Sequence, residues 1–547
     1  MPLPHPGLKR PHPAGGRAGG RGGQAAPGDR GHGQAGCGGG GRGDHPAGRP
    51  DRGRRGLRRG PGGGRLDHPR AGRRWAHDGG HVAAQHPSGR APAGGRRGSV
   101  REAWDYPRAL EWLDGLLNYE RSALPYAEIK LQRVQALLRR LGDPQDRLRS
   151  VLAAGTKGKG STAAMLVSIL QAHGQRVGFY SKPHLWDYRE RIRINDVLVP
   201  PDRLARLVQD TVPAVEAGAH DPWGKPTYFE VSVALAARYF VEEGVQRAVL
   251  EVGIGGRLDA TNACHPEVSV VTPISYDHTD VLGSTLREIA REKAGIIRPG
   301  GLVVCAPQPP EAEEVLEATC RELGARRVRV GSEVQFHVEA SELSGVRLSV
   351  QTPLQRYGGL WVPLLGRHQA TNAAVAVAAV EAWLARDGER PDPQLVREGL
   401  ARVRWPARQE LVGQRPWVLV DVAHNPASMR ALRATLEELF PDRRVVLVLG
   451  MVRGHEVWQT AREVLSCADE VVVTTAQHVR AVPAGELAQT LREAHPRVQV
   501  VEDCEAAVAH GLRCCGPEDL LVVTGSFFVA GPARKWLVAR APAAPVS

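Results

Sequence analysis

Apolar residues recur at three-to-four spacing over residues 106–141, at Leu110, Leu113, Leu116 and Leu117 and again at Val134, Leu137, Leu138 and Leu141, which predicts helix. The period changes near residue 148. From there, short apolar runs of strand length at 148–154, 176–180, 248–252, 268–272 and 302–306 alternate with helical stretches at 161–172, 228–242 and 286–297. Strand, helix, strand in that rhythm predicts a parallel sheet wrapped by helices. Residues 328–362 read instead as a few antiparallel strands inserted on that domain. A helix over 372–386 follows, and then Pro391, Pro393, Pro406 and Pro416 mark a domain junction. Beyond it the alternation resumes, with strands at 417–422, 444–449, 470–474, 498–501 and 520–524. The expected fold is α/β, with a parallel-sheet domain over 100–408 and a smaller α/β domain over 409–547. A chain of 547 residues is too long for one core.

Charge changes the picture of the N-terminus. The chain carries a net +13, yet the first 99 residues alone hold 19 basic and 5 acidic residues. The rest is electrically balanced and offers no global field to attract a polyanion, so no nucleic-acid partner is expected. The same 99 residues contain no Phe, Tyr, Ile, Thr, Asn or Glu and cannot build a core. They are expected to be a disordered Gly/Arg/Pro-rich tail. Their composition is that of a start codon assigned too far upstream of Val100; an inert tail and an RNA-binding arm are the alternatives.

The eight cysteines show neither a C-x-x-C pair nor metal-ligand spacing, which reads as reduced thiols in a cytoplasmic protein. No apolar run approaches the roughly 18 residues that span a bilayer. His455, His478 and the tryptophans read as packing or surface residues.

The chemistry begins at Gly155-Thr-Lys-Gly-Lys-Gly-Ser-Thr162, between a predicted strand and a predicted helix. Backbone N–H groups of such a turn and the positive end of the helix dipole suit a phosphate. Gly155, Gly158 and Gly160 permit close approach, Lys159 supplies charge, and Ser161 or Thr162 supplies a hydroxyl near Mg²⁺. Thr156 and Lys157 complete the loop. Gly160, set between the lysine and the hydroxyl, departs from the strict P-loop pattern. Glu251 ends an otherwise apolar strand, where ligands of open α/β sheets collect. A lone carboxylate there is costly unless it meets a cation, so it is a candidate Mg²⁺ ligand. His278 follows the next strand and, by spacing alone, reads equally as a hydrogen-bonding or a general acid/base residue.

The loop variant resembles that of the Mur ligase superfamily. Five further stretches, at 180–185, 227–230, 250–262, 277–279 with 291–295, and 421–426, resemble the folylpolyglutamate synthase/dihydrofolate synthase family and follow its order. The resemblance implies a Mur-ligase-like P-loop ATPase domain followed by a Rossmann-like glutamate ligase domain. It implies ATP as co-substrate, two magnesium ions, L-glutamate, and a folate or dihydropteroate as acceptor, in a monomeric, cytoplasmic enzyme. It places His278 on the second magnesium, although that cation prefers oxygen. Lys293 matches a lysine that related enzymes carry carbamylated; its alternative is a surface or salt-bridged helix lysine. Asn372 matches an adenine-contacting asparagine, with helix N-cap or first turn as its structural alternative. Arg408 matches an arginine that reaches the nucleotide phosphates, although Ala407 stands where glycine is usual. Asp421 and His424 would approach ATP from the second domain, and Thr227, Tyr228 and Phe229 with Leu258, Asp259 and Ala260 match the pterin pocket, with an aromatic pair in a core helix as the structural alternative for Tyr228 and Phe229. Lys159, Lys293, His278, Asp421 and His424 form the implied catalytic set.

Two departures stand out. Lys157 replaces an asparagine common in the loop, and Lys182 replaces the serine that usually ligates magnesium. A protonated lysine cannot ligate Mg²⁺. The implied reaction makes an acyl phosphate from ATP and the acceptor carboxylate, which the glutamate amine then attacks. The rivals are another amino-acid ligase of the superfamily and a non-catalytic nucleotide-binding protein. Against the first, only about 50 residues separate Val100 from the phosphate loop, too few for a separate sugar-nucleotide domain.

Overall fold

The computed structural model describes residues 102–120, 128–454 and 456–540. The Gly/Arg/Pro-rich stretch, with the expectations attached to it, and His455 lie outside them.

Eight strands form the first sheet: β1 (Ser150–Ala154), β2 (Val177–Tyr180), β3 (Ile192–Ile194), β4 (Val197–Leu198), β5 (Arg247–Glu251), β6 (Val268–Val271), β7 (Leu302–Cys305) and β8 (Arg326–Arg329), in the order β4-β3-β2-β5-β1-β6-β7-β8. From β2 to β8 every pairing is parallel, while β3 and β4 run antiparallel at one edge. β1 and β5 are buried at every position because helices cover both faces, as parallel sheets require. Helices Lys159–Ala172 and His368–Ala385 pack on one face; Tyr106–Asp114, Leu131–Arg140, Pro201–Ala217 and Tyr228–Glu242 pack on the other.

The region predicted as an antiparallel insert divides. Val328 belongs to β8 of the large sheet, and the insert itself is β9 (Gln335–Glu342), β10 (Gly345–Gln351) and β11 (Arg356–Val362), antiparallel in the order β11-β10-β9. β8 was illegible because Arg-Arg-Val-Arg carries one apolar residue. The helix predicted over 106–141 is two helices. Gly115 caps the first, and Leu117, counted among its apolar positions, is exposed. The helix predicted from Asn372 begins at His368, so Asn372 lies in its second turn and is neither an N-cap nor a first-turn residue.

A second sheet holds β12 (Glu410–Gln414), β13 (Trp417–Val420), β14 (Val445–Leu449), β15 (Glu470–Val473), β16 (Val498–Val500) and β17 (Leu520–Thr524), ordered β12-β13-β17-β14-β15-β16. All but β12 are parallel.

Helix His368–Ala385 is apolar on nearly every side, the pattern of a helix enclosed by protein. It packs between the first sheet and the antiparallel insert. Trp383 fixes its far end: the fully buried indole donates to Glu267 Oε2 at 2.5 Å and lies under the Arg247 guanidinium, 4.7 Å from the ring centroid. Trp383→Ala should cost about 3–5 kcal/mol through the cavity and the lost hydrogen bond. Urea denaturation checks this, and a cost below about 1 kcal/mol would mean that the helix does not depend on this anchor.

Candidate functional site

The parallel strands of both sheets deliver polar residues at their carboxyl ends. In the first sheet these are the loop after β1, Lys182 after β2, Glu251 at the end of β5, and residues 272–278 after β6; in the second they are Asp421–His424 after β13 and Gly525–Phe528 after β17. They surround one cleft of about 590 Å³.

The phosphate loop is held by close packing. Gly155 has φ +140°, and a Cβ there would lie 1.9 Å from Thr272 Oγ1; Gly158 has φ +80°, and a Cβ would lie 2.2 Å from Asn372 Oδ1. Only glycine tolerates both demands at these positions. A Cβ on Gly160 would meet the Trp405 ring at 2.8 Å, so this departure from the strict motif has a packing cause. The indole in turn stacks on Phe179 at 5.5 Å, with Arg193 over both rings. Thr156 and Lys157 donate their N–H groups to Pro273 O at 2.9 and 3.2 Å, which ties the loop to the segment after β6.

Charge is concentrated here. Lys159 Nζ donates to Gly155 O at 3.1 Å and to Thr156 O at 3.3 Å, and Lys293 Nζ reaches the same Gly155 O at 2.9 Å. Burial, followed by the nearby Lys159 charge, pulls Lys293 from 10.5 down to about 7. The alternative of a surface or salt-bridged lysine therefore does not hold; Lys293 is buried behind the loop. Lys157 pairs with Asp277 Oδ2 at 3.3 Å, and burial lowers it to about 8. Burial also lowers Lys159 and Arg408 and raises Glu251, whose carboxylate is countered by Lys159, Arg408 and Lys182.

Thr156–Ser161, Phe229, Glu251, Leu258, Asp259, Ala260, His278, Asn372, Arg408, Asp421, His424 and the Thr227 position all border the cleft. Gly155 and Thr162 lie just behind its wall, Thr162 hydroxyl to Asn372 Oδ1 at 3.5 Å. Tyr228 faces the core, edge-on to Tyr188 at 5.8 Å and beneath Arg191. Tyr228 therefore lies off the cleft that its neighbour Phe229 borders. Thr227 caps that helix, its N–H donating to Glu230 Oε2 at 2.8 Å. Asp259 accepts from Ile254 N, Thr261 N and Thr261 Oγ1, and so shapes the turn it sits in. Asp421 accepts from Gln409 N and Ala423 N, both at 2.9 Å, and so holds the Arg408 segment. That segment is tight: Ala407 and Gln409 have φ of +54° and +49°. His424 Nδ1 lies 2.8 Å from Val422 O, an acceptor only, so Nδ1 carries the proton and Nε2 is the acceptor in the neutral ring.

Sequence reasoning missed Asp277, quoted in a motif and given no role. Its carboxylate takes Lys157 and also the Asn425 amide at 3.2 Å, linking the phosphate loop to the first helix after β13. It also missed the buried Arg133–Glu230 pair at 2.7 Å and the Arg191–Glu120 pair at 2.6 Å; burial combined with opposite charge, which signals them, is invisible along the sequence. His478 packs on Phe528 at 4.3 Å, a packing role as expected.

The glycine-rich loop at the carboxyl edge of one parallel sheet, facing a second α/β sheet across a cleft, defines a Mur-type ligase. Residues 153–380 match the Mur ligase middle domain and residues 407–527 the Mur ligase, glutamate ligase domain. The chain is 31% identical over 434 residues to a dihydrofolate synthase/folylpolyglutamate synthase of Bacillus subtilis, covering 79% of this chain and 99% of the relative. A Mycobacterium tuberculosis folylpolyglutamate synthase complexed with ADP and AMPPCP superposes with a TM-score of 0.73 at 34% identity, over 79% of this chain and 99% of that one. Escherichia coli FolC in complex with DHPP and ADP gives 0.71 at 30%, over 80% and 99%. This chain belongs to the folylpolyglutamate synthase/dihydrofolate synthase family. Among the described residues, no helix is long and apolar enough to cross a membrane.

Between pH 7 and 10.5 the unfolded chain holds on Lys293 a proton that the folded chain lacks, so stability rises with pH across that window. Lys157 adds to the slope above about pH 8. Lys293→Met should flatten it, read from urea midpoints taken between those limits; identical slopes in the two proteins would contradict the titration.

Proposed function

We propose that the chain is an ATP-dependent ligase that joins L-glutamate to a folate, to dihydropteroate, or to both, through an acyl phosphate. The observation that carries the reading is the single cleft onto which the phosphate loop, its surrounding cations and the Phe229–Leu258–Asp259 wall all open. The domain reading is an ATP-binding region over 100–408 and a glutamate ligase region over 409–547. The reading includes a monomeric, cytoplasmic enzyme.

Phosphoryl transfer needs positioning and charge more than covalent help. An acceptor carboxylate oxygen attacks the γ-phosphorus as the bond to the bridging oxygen breaks and ADP leaves. Lys159 and Arg408 are assigned to the phosphates, Asn372 to the adenine, and Phe229, Leu258, Asp259 and Ala260 to the pterin side. The glutamate amine then attacks the acyl carbon, gives up a proton, and phosphate departs. His424, with Nε2 as the acceptor, is suited to receive that proton.

Among the described residues no three His, Cys, Asp or Glu side chains form a metal cluster. Mg²⁺ in nucleotide sites is held by one or two protein oxygens plus phosphates and water, and the Ser161 hydroxyl and Glu251 carboxylate at the cleft fit that need. His278, a nitrogen donor, fits less well as the second site's ligand. Bound magnesium would neutralise charge on the transferring group.

Lys293, buried and lowered to about 7, is populated as a neutral amine near neutral pH, the form that adds carbon dioxide. Growth or exchange in ¹³C-bicarbonate should give a carbamate resonance that Lys293→Met lacks; the same resonance in both proteins would exclude Lys293 as its site.

Purified full chain with ATP, glutamate and either dihydropteroate or tetrahydrofolate should incorporate glutamate and release ADP. Incorporation with one acceptor names the activity, and none with either, from folded nucleotide-binding protein, would overturn the reading. Arg408→Met should lower kcat by about 10²–10³-fold, the usual loss when a preorganised charge is removed. An unchanged kcat would remove Arg408 from the phosphate set.

A further inference from the structure

Lys182 is the second residue after β2, and its backbone N–H donates to Glu251 Oε2 at 3.4 Å, which sets the residue beside the end of β5. Its ammonium nitrogen lies 6.0 Å from the centroid of the Phe229 ring, on the wall assigned to the pterin. Lys182 therefore stands at the border between the phosphate side of the cleft and the acceptor side.

Among the described residues its ammonium has no ion-pair partner, and its one aromatic contact is the Phe229 ring. Three carboxylates, buried Glu251 and Asp259 and partly buried Glu120, feel it, and none of them pairs with its ammonium. Glu120 pairs with Arg191 at 2.6 Å, and Asp259 accepts from Thr261 and Ile254. Glu251 is countered first by Lys159 and Arg408. Among the described residues no carboxylate lies within ion-pair distance of the Lys182 ammonium. A half-buried ammonium with no ion pair, on the wall of a cleft, suits an anionic ligand group. Protonated, it cannot take the metal-ligating role that a serine would have had there.

We propose that Lys182 binds the reacting carboxylate of the acceptor and holds it at the border with the phosphate loop. This rests on the ligase reading above. The carboxylate must meet the γ-phosphate while its aromatic portion stays against Phe229, and Lys182, with its backbone on Glu251 and its ammonium near Phe229, lies between the two regions. A charge-assisted hydrogen bond from an ammonium to a carboxylate discriminates strongly against a neutral isostere, which cannot draw on the charge.

The test is calorimetric titration of the full chain, with AMPPCP present, using dihydropteroate and its carboxamide. Lys182→Met should weaken binding of the acid about 10–100-fold and leave the amide within about twofold, as expected for one hydrogen bond to a charged group. Lys182→Arg should recover part of the loss, and AMPPCP affinity should stay within about twofold in both variants. Equal losses for acid and amide would assign Lys182 to packing, and lost AMPPCP affinity would assign it to the nucleotide; either overturns the proposal. Wild-type protein that binds the acid no better than Lys182→Met does overturns this proposal alone. Wild-type protein that binds AMPPCP but neither pterin compound overturns the folate reading and this proposal with it.

Discussion

The side-chain nitrogens of Lys159 and Lys293 converge on one neutral acceptor, the carbonyl oxygen of Gly155. Among the described residues neither lysine has an ion pair there, and in that buried setting desolvation works against charge on both, so that Lys293, drawn down to about 7, gives up part of its charge near neutral pH. The loop cannot relax away from them, because Gly155 is wedged against Thr272 and Gly158 against Asn372. The result is a cradle under positive load. A polyanion entering it meets donors and charge already set in place, so electrostatic preorganisation and loop rigidity here are one property.

The other site residues depend on that fixed loop. Asn372 touches it from helix His368–Ala385, whose opposite end is anchored by Trp383, and Asp277 joins it through Lys157 to Asn425, at the start of the helix after β13. Glu251 is in register with Ala153, two residues before Gly155 on the strand that feeds the loop. Two parallel sheets thus present their carboxyl ends to a common space, and the side chains that need to be near a phosphate are placed by strand register more than by local sequence.

Much of this was legible because parallel strands buried on both faces leave plain apolar runs, and because a glycine-rich turn between strand and helix has few meanings. The phosphate loop, Glu251, Arg408 and Asp421 could be picked out on those grounds together with family resemblance. The hairpin β3–β4 and the edge strand β8 could not, since short or arginine-rich edge strands carry no apolar alternation. Tyr228 was misplaced because a motif names neighbours without saying which side of a helix each one takes. Asp277 was overlooked because its importance is relational: it lies where Lys157 and Asn425, 120 and 148 residues away, both reach it.

The contact between Gly160 and Trp405 carries a historical consequence. With the indole 2.8 Å from where a Cβ would stand, position 160 cannot gain even a methyl group while tryptophan occupies 405. The two sites are 245 residues apart in the chain, yet the order in which they can change is prescribed: the ring must shrink or withdraw before the glycine can be replaced. A lineage that has settled on this pair can drift toward a standard phosphate loop only through an intermediate that has first surrendered the stack on Phe179.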